Sequence, residues 1–357
     1  NLLKLLKIGR YNMNIDSLIS KYDSDNMYEC IKGFPKQFTL LYDTLKWEKK
    51  RNYEGIDRIL ILGMGGSAIG GEIVSDILSH HLNISIEVNR GYSLPNWVND
   101  KTLVIASSYS GNTEETISAF NKCDKNYHRI VISSGGELLN SAIESNLDYI
   151  ILPPGMQPRA ALGYSVSAYT ALFYNLDLIT KSTIQEFDFA IKELTKFSYK
   201  FLSNNKPAVD LAKKIYDKMP IIYSENESTS SVGIRFANQL QENSKILSYS
   251  SILPEINHNE IEGWDSDEEV LRKIFVIWLC GFDENPQIVK RRDTTFELIS
   301  SFTNNQTKIV IDAGNKIEYM LKLIHFCDLV SFYTAMIKQI NPTPVNQISM
   351  LKNKLSS

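Results

Sequence analysis

Cysteine is scarce in this sequence. The four residues (Cys30, Cys123, Cys280 and Cys327) are scattered and form no CxxC pair. That pattern excludes a disulfide framework and a zinc knuckle, and it fits a reducing cytoplasm. The five histidines include no HxH or HxxxH pair. His80 and His81 are adjacent, so on a helix they point apart and cannot chelate together. His128 opens a strand, and His325 sits in an apolar helix as a core residue. No metal site is therefore expected. Neither sign of charge is in excess: the net charge is −3, which makes no electrostatic case for nucleic acid or an anionic membrane as partner. No apolar run reaches the roughly 18 residues of a membrane-spanning helix, and no low-complexity tract is present.

What the sequence does have is the composition of a globular protein, 43% hydrophobic and 22% charged over 357 residues. That length accommodates two domains. NLLKLLKIGRYN precedes Met13. These residues, 1–12, read either as an extension upstream of a natural start or as an amphipathic N-terminal helix.

Apolar strand-like runs then alternate with helical stretches. Strands are expected near 58–62, 84–88, 102–107, 128–133 and 148–152, with helices near 67–80, 113–124 and 136–145. Such alternation predicts a parallel sheet with helices on both faces. The loop PPGMQPRAALGY leads into an apolar helix over 165–180, and residues 183–204 form an amphipathic connecting helix. The alternation resumes with PIIYS (220–224), a helix over 231–245, KILSYS (245–250), KIFVIWL (273–279), a helix over 289–302 and KIVID (308–312). A long helix runs from Lys316 to about Gln339, and a short one follows NPTP. The fold class is thus α/β, two doubly wound parallel-sheet units in tandem. Their boundaries are placed at 13–182 and 206–357, with 183–205 as a helical linker.

Two loops of the first unit carry the chemistry. SYSGNTEET (108–116) follows the run TLVIA and precedes a helix. Ser108, Ser110, Gly111 and Thr113 crowd a helix N-terminus, where free N–H groups and partial positive charge suit a phosphate ester. GMGGSAIGG (63–71) follows RILIL, and its glycines let a ligand approach the backbone. Strand-to-helix turns of a parallel sheet open at one edge, so Gly65, Gly66 and Ser67 are expected to face Ser108, Ser110 and Thr113. The second unit is read as a copy without these loops. The string Gly63-x-Gly65-x-x-Ala68 also fits a dinucleotide fingerprint. That rival needs an acidic residue at the end of the next strand, where Asn89 and Arg90 stand.

Further candidates lie along the chain. Glu242, near the end of the helix bearing Arg235, Asn238 and Gln239, and His258, inside INHNEIEGW, are groups that move protons near neutral pH. Taken alone, Glu242 reads as a solvated helix-end carboxylate, and His258 reads either as a site residue or as a polar loop residue. Arg159, in QPRAALGY, reads as a guanidinium aimed into a cleft or as a surface residue. Lys352 and Lys354, by composition, face solvent.

In their order, GMGGSAIGG, SYSGNTEET, PRAALGY, the helix ending in Glu242, NHNEIEGW and the terminal PTPV…LK resemble the bifunctional phosphoglucose/phosphomannose isomerase family, built from two sugar-isomerase (SIS) domains. The resemblance covers about residue 15 to the C-terminus. It implies reversible conversion of glucose 6-phosphate and mannose 6-phosphate to fructose 6-phosphate, with no cofactor. Carried over by motif, Ser108, Ser110 and Thr113 hold the phosphate, and Gly65, Gly66 and Ser67 lie near the sugar. Arg159 steadies the enediolate, and Glu242 shuttles the proton between C1 and C2. His258 assists ring opening from the neighbouring subunit of a homodimer, and Lys352 is the match to a lysine of the last helix. Two other functions compete. A non-catalytic sugar-phosphate sensor would not need Glu242 or His258, and an NAD-dependent oxidoreductase would bind nicotinamide.

Overall fold

The computed structural model describes residues 14–355; the extension at 1–12 lies outside them. It opens with four short helices: α1 (Ile15–Tyr22), α2 (Met27–Lys32), α3 (Phe34–Gln37) and α4 (Thr39–Thr44). The sequence reading anticipates none of them, because helices of four to eight residues are too short to display a 3.6-residue period. Local caps mark them instead. The Asn14 side chain accepts from the N–H groups of Asp16 and Ser17, and the Asp23 carboxylate accepts from those of Met27 and Tyr28, each at 2.8 Å.

The chain forms two compact units. One comprises Gly33–Lys196 with Gly314–Glu318; the other comprises 14–32, Phe197–Ala313 and 319–355.

The first unit contains β1 (Arg58–Leu62), α5 (Gly65–Leu78), β2 (Ser85–Asn89), β3 (Thr102–Ser108), α6 (Glu114–Asn121), β4 (His128–Ser133), α7 (Gly136–Glu144) and β5 (Asp148–Ile151). Its sheet has the order β2-β1-β3-β4-β5, and all pairings are parallel, with Arg58 opposite Ser85 on one side and Thr102 on the other. All seven residues of β3 are buried. That burial explains the unbroken apolar run, since a parallel strand is covered on both faces. Leu60, Leu62, Val104, Ala106 and Val131 form one core layer with Ala119, Phe120, Leu138 and Ala142. On the other face Gly71 of α5 lies against the Ile61 side chain. Beyond β5 come α8 (Leu162–Asn175) and α9 (Lys181–Ser203); α8 begins and ends a few residues earlier than the sequence pattern implied.

The second unit contains α10 (Lys206–Ile215), β6 (Met219–Glu225), α11 (Ser230–Ser244), β7 (Tyr249–Leu253), α12 (Glu268–Leu271), β8 (Ile274–Leu279), α13 (Pro286–Ser300), β9 (Gln306–Ile309), α14 (Lys316–Ile337) from Tyr319 onward, and α15 (Asn346–Leu355). Its order, β7-β6-β8-β9, repeats the 2-1-3-4 pattern of the first sheet. Tyr223, Val276, Trp278, Leu253, Ile256, Trp264 and Ile299 make its core. Two strands are displaced from their expected places. Lys245 closes α11 in the left-handed conformation (φ 53°), and the Ser248 hydroxyl is spent on Pro220 O at 3.0 Å. Pairing to β6 therefore starts only at Tyr249, opposite Ile221. β9 pairs with Val276–Leu279 and stops at Ile309, leaving Val310 72% exposed.

Among the described residues α14 has the length and mean hydropathy of a membrane-crossing helix, but 94% of that stretch is buried inside the protein. His325 on α14 is a core residue, as expected. It is fully buried, its Nε2 is 2.9 Å from Ser198 Oγ, and burial lowers its pKa to about 4.

Candidate functional site

The serine loop closes on itself. Ser108 Oγ and Thr113 Oγ1 are 2.8 Å apart, and Ser108 Oγ also accepts from Gly111 N at 3.1 Å. Thr113 is the N-cap of α6, yet its side chain makes no cap hydrogen bond; its hydroxyl turns to Ser108 instead. Ser110 is exposed, Thr113 is half-buried and Ser108 is buried. The loop is bolted to the β4–α7 turn. Asn112 Oδ1 accepts from Glu137 N at 2.9 Å, and Gly111 O accepts from Leu138 N at 2.9 Å. Gly111 has φ +71°, and a Cβ there would lie 1.7 Å from Gly135 O. No other residue fits, so this glycine is what lets the two turns meet.

The glycine loop joins the serine loop directly. Ser67 Oγ accepts from Tyr109 N at 3.1 Å, and Gly65 opens α5 on its exposed side. Arg159 arrives on a 3₁₀ turn, Pro158–Ala160, and is 4% exposed. A Cβ on Gly66 would stand 2.8 Å from Pro158 O, so the Arg159 turn lies on the bare backbone of Gly66. Tyr109 adds a second tie: its phenol donates to Pro153 O at 2.7 Å and accepts from Met156 N at 3.1 Å. The first unit thus gathers Gly65, Gly66, Ser67, Ser108, Ser110, Thr113 and Arg159 at the carboxyl edge of one sheet. Cationic side chain, free helix N-terminus and hydroxyls in that arrangement suit an anionic ligand. The sequence reading missed Tyr109 and Asn112, the residues that splice the loops. The asparagine beside Gly111 in a turn is the signal that could have found the second.

The other candidates belong to the second unit. Glu242 is half-buried near the end of α11, and Lys245 Nζ binds its backbone oxygen. The helix is fastened lengthwise to α14. Arg235 makes a two-pronged pair with Asp328 (Nε–Oδ1 3.1 Å, Nη2–Oδ2 2.6 Å), Gln239 Nε2 donates to Asp328 Oδ1 at 2.9 Å, and Asn243 Nδ2 donates to Ser331 Oγ at 3.0 Å. His258 is exposed at the end of a 3₁₀ turn, Glu255–His258, and Lys352 is exposed on α15.

The second unit requires one correction. The sequence reading gives it no hydroxyl-rich loop, but SENESTSS (224–231) is one, following β6 as the glycine loop follows β1. Its groups serve an internal anion. The Glu225 carboxylate, 3% exposed, accepts from Glu227 N and Ser228 N at 2.7 Å each and from Ser228 Oγ. At the position of the serine loop stands CGFDEN (280–285), whose Glu284 is buried against Arg292. A Cβ on Gly281 would lie 2.7 Å from Glu225 Oε1 and from Glu284 Cγ. Carboxylates of the chain itself fill this crevice.

The dinucleotide reading finds no support at the end of β2. Asn89 spends its side chain on Gly91 N and Ser93 O, at 2.7 Å each, and Arg90 pairs with Glu72 at 2.7 Å. Neither residue that ends the strand is the acid a ribose needs.

Comparison with known proteins identifies the family. Residues 204–355 match the family model of the bacterial phospho-glucose isomerase C-terminal SIS domain. The chain is 37% identical to a bifunctional phosphoglucose/phosphomannose isomerase of Caldicellulosiruptor bescii, over 92% of this chain and 99% of that one. It is 32% identical to the protein of that name from Aquifex aeolicus, over 93% and 98%. The fold is shared with the C-terminal domain of a glucosamine-fructose-6-phosphate aminotransferase from Francisella tularensis, with a TM-score of 0.71 and 16% identity over 90% of this chain and 100% of that one. Ordered motifs, paired SIS-type sheets and full-length similarity converge: the chain is an isomerase of the bifunctional phosphoglucose/phosphomannose isomerase family.

Proposed function

We propose that this chain interconverts glucose 6-phosphate and mannose 6-phosphate with fructose 6-phosphate through a cis-enediol(ate), needing no metal ion or cofactor, as a cytoplasmic homodimer. The observation that carries the reading is the splice of three loops at one sheet edge, with Ser67 bound to Tyr109 and the Arg159 turn seated on Gly66. Ser108, Ser110 and Thr113 hold the phosphate, and Gly65, Gly66 and Ser67 lie near the sugar.

The chemistry accounts for the remaining residue types. Removing a proton next to a carbonyl creates an oxyanion, and a fixed cation there lowers the barrier by several kcal/mol. Arg159 fills that role. Glu242 takes the proton from one carbon and returns it to the next, so no hydride leaves and no nicotinamide is required. Glucose and mannose 6-phosphates differ only at C2, and a planar enediol protonated on either face yields both. His258, supplied by the neighbouring subunit, assists ring opening, and Lys352 completes the set.

The direct test is an assay of fructose 6-phosphate formation from each aldose phosphate after exhaustive EDTA treatment. Full activity on both is expected; loss on chelation that zinc restores would overturn the metal-free mechanism. Phosphate recognition is tested separately. Ser110→Ala and Thr113→Val each remove a donor to a dianion, and a hydrogen bond to a charged group contributes about 1.5–3 kcal/mol. KM should rise about 10-fold or more for each. An unchanged KM in both variants would place the phosphate elsewhere.

A further inference from the structure

His258 sits in a segment poorly equipped to hold it still. Residues 254–264 form two successive 3₁₀ turns, Glu255–His258 and Glu260–Trp264. Pro254, Glu255, His258, Asn259, Glu262 and Gly263 are all exposed, and only Ile256 and Trp264 are buried. A stretch with so few apolar anchors opens easily. An imidazole that moves a proton must nevertheless be placed to within about 0.5 Å.

Polar bonds on both sides of His258 supply what packing does not. Tyr223 of β6, 1% exposed, donates its phenol O–H to Glu260 Oε1 at 2.6 Å. Trp264 Nε1 donates to the same phenol oxygen at 3.0 Å. On the other side Asn257 Nδ2 donates to Thr295 Oγ1 of α13 at 2.8 Å. The phenol is itself immobile, since its ring meets Trp278 edge-on with centroids 4.7 Å apart. Burial, then the Glu260 carboxylate, raise the Tyr223 pKa well above its usual value, so the group remains a donor at neutral pH. An O–H to carboxylate bond of this length is among the stronger kinds. Glu260 is two residues from the imidazole.

We propose that Tyr223 and Glu260 are positioning residues for His258, fixing the imidazole for ring opening through the Tyr223–Glu260–Trp264 hydrogen bonds. This rests on the role given to His258 above. In ring opening the proton on the anomeric hydroxyl leaves, C2=O forms, the C2–O5 bond breaks and O5 gains a proton. The imidazole relays that proton and ends unchanged.

The test uses two substrates with the full-length enzyme: fructose 6-phosphate and its 5-deoxy analogue, which has no hydroxyl with which to close the ring. Tyr223→Phe and Glu260→Gln should each lower kcat on fructose 6-phosphate about 10-fold, with KM within about a factor of two, the loss belonging to a charge-assisted hydrogen bond. Turnover of the 5-deoxy analogue should stay at the wild-type value, and His258→Ala should show the same split more strongly. If His258→Ala splits the substrates and Glu260→Gln behaves as wild type on both, positioning is overturned while the His258 role stands. If His258→Ala is itself fully active on both, the underlying role falls and positioning with it. Equal losses on both substrates for Glu260→Gln would reveal general damage and overturn the proposal. Glu260 is only half-buried, so its variant carries the test even where Tyr223→Phe fails to fold.

Discussion

Glu242→Gln is expected to lower kcat about 100-fold or more with little change in KM. The amide keeps the shape of the carboxylate but cannot take a proton from carbon. The residue sits near the end of α11, whose inward face is held by Arg235, Gln239 and Asn243, so the backbone under it should not move. Steady-state kinetics with circular dichroism as a fold control measures this; activity within a factor of about three of wild type removes Glu242 from the mechanism. The same variant probes the proposed sharing of the site between subunits. In the proposed homodimer, co-expression with His258→Ala gives mixed dimers. With His258 acting across the interface, one site of each mixed dimer has both groups intact, and up to half of normal activity returns. With His258 acting within its own chain every site lacks one group, and verified mixed dimers stay inactive.

Asp328→Ala is expected to destabilise the protein by about 3–5 kcal/mol, the cost of breaking a buried ion pair from one side. Asp328 is 4% exposed and Arg235 3%. Removing the carboxylate strands a guanidinium and also frees Gln239 Nε2, which donates to the same oxygen. The loss is read from the urea midpoint at neutral pH. Pairing Asp328→Leu with Arg235→Met should restore much of it, because apolar residues of similar size often replace a buried pair without loss. A change below about 1 kcal/mol for Asp328→Ala would mean that the pair contributes no more than an exposed salt bridge. Since this pair braces the helix carrying Glu242, activity should fall further than the folded fraction does.

By itself the sequence determined the class of fold, the family and the residues worth testing. RILIL, TLVIAS and HRIVIS have unbroken apolar centres (ILIL, LVIA and IVI) because parallel strands are buried on both faces, and the loops after them are legible because Gly, Ser and Thr are selected there by backbone geometry and free N–H groups. Only the tertiary structure decided the rest. The ends of β7 and β9 depend on where a neighbouring strand offers partners, and β9 stops when β8 runs out at Leu279. That Gly66 must be bare follows from Pro158, ninety-two residues later, lying against it. The function of Glu225 was equally hidden: a carboxylate in a serine-rich turn reads as solvated until the fold buries it and turns two amides and a hydroxyl onto it. Tyr223 and Asp328 lie in no motif, and the motifs that contain Glu260 and Arg235 do not reveal their partners, which stand 37 to 93 residues away. Local pattern records what a residue's neighbours in sequence demand, whereas long-range partners are chosen by the packing of sheets and helices.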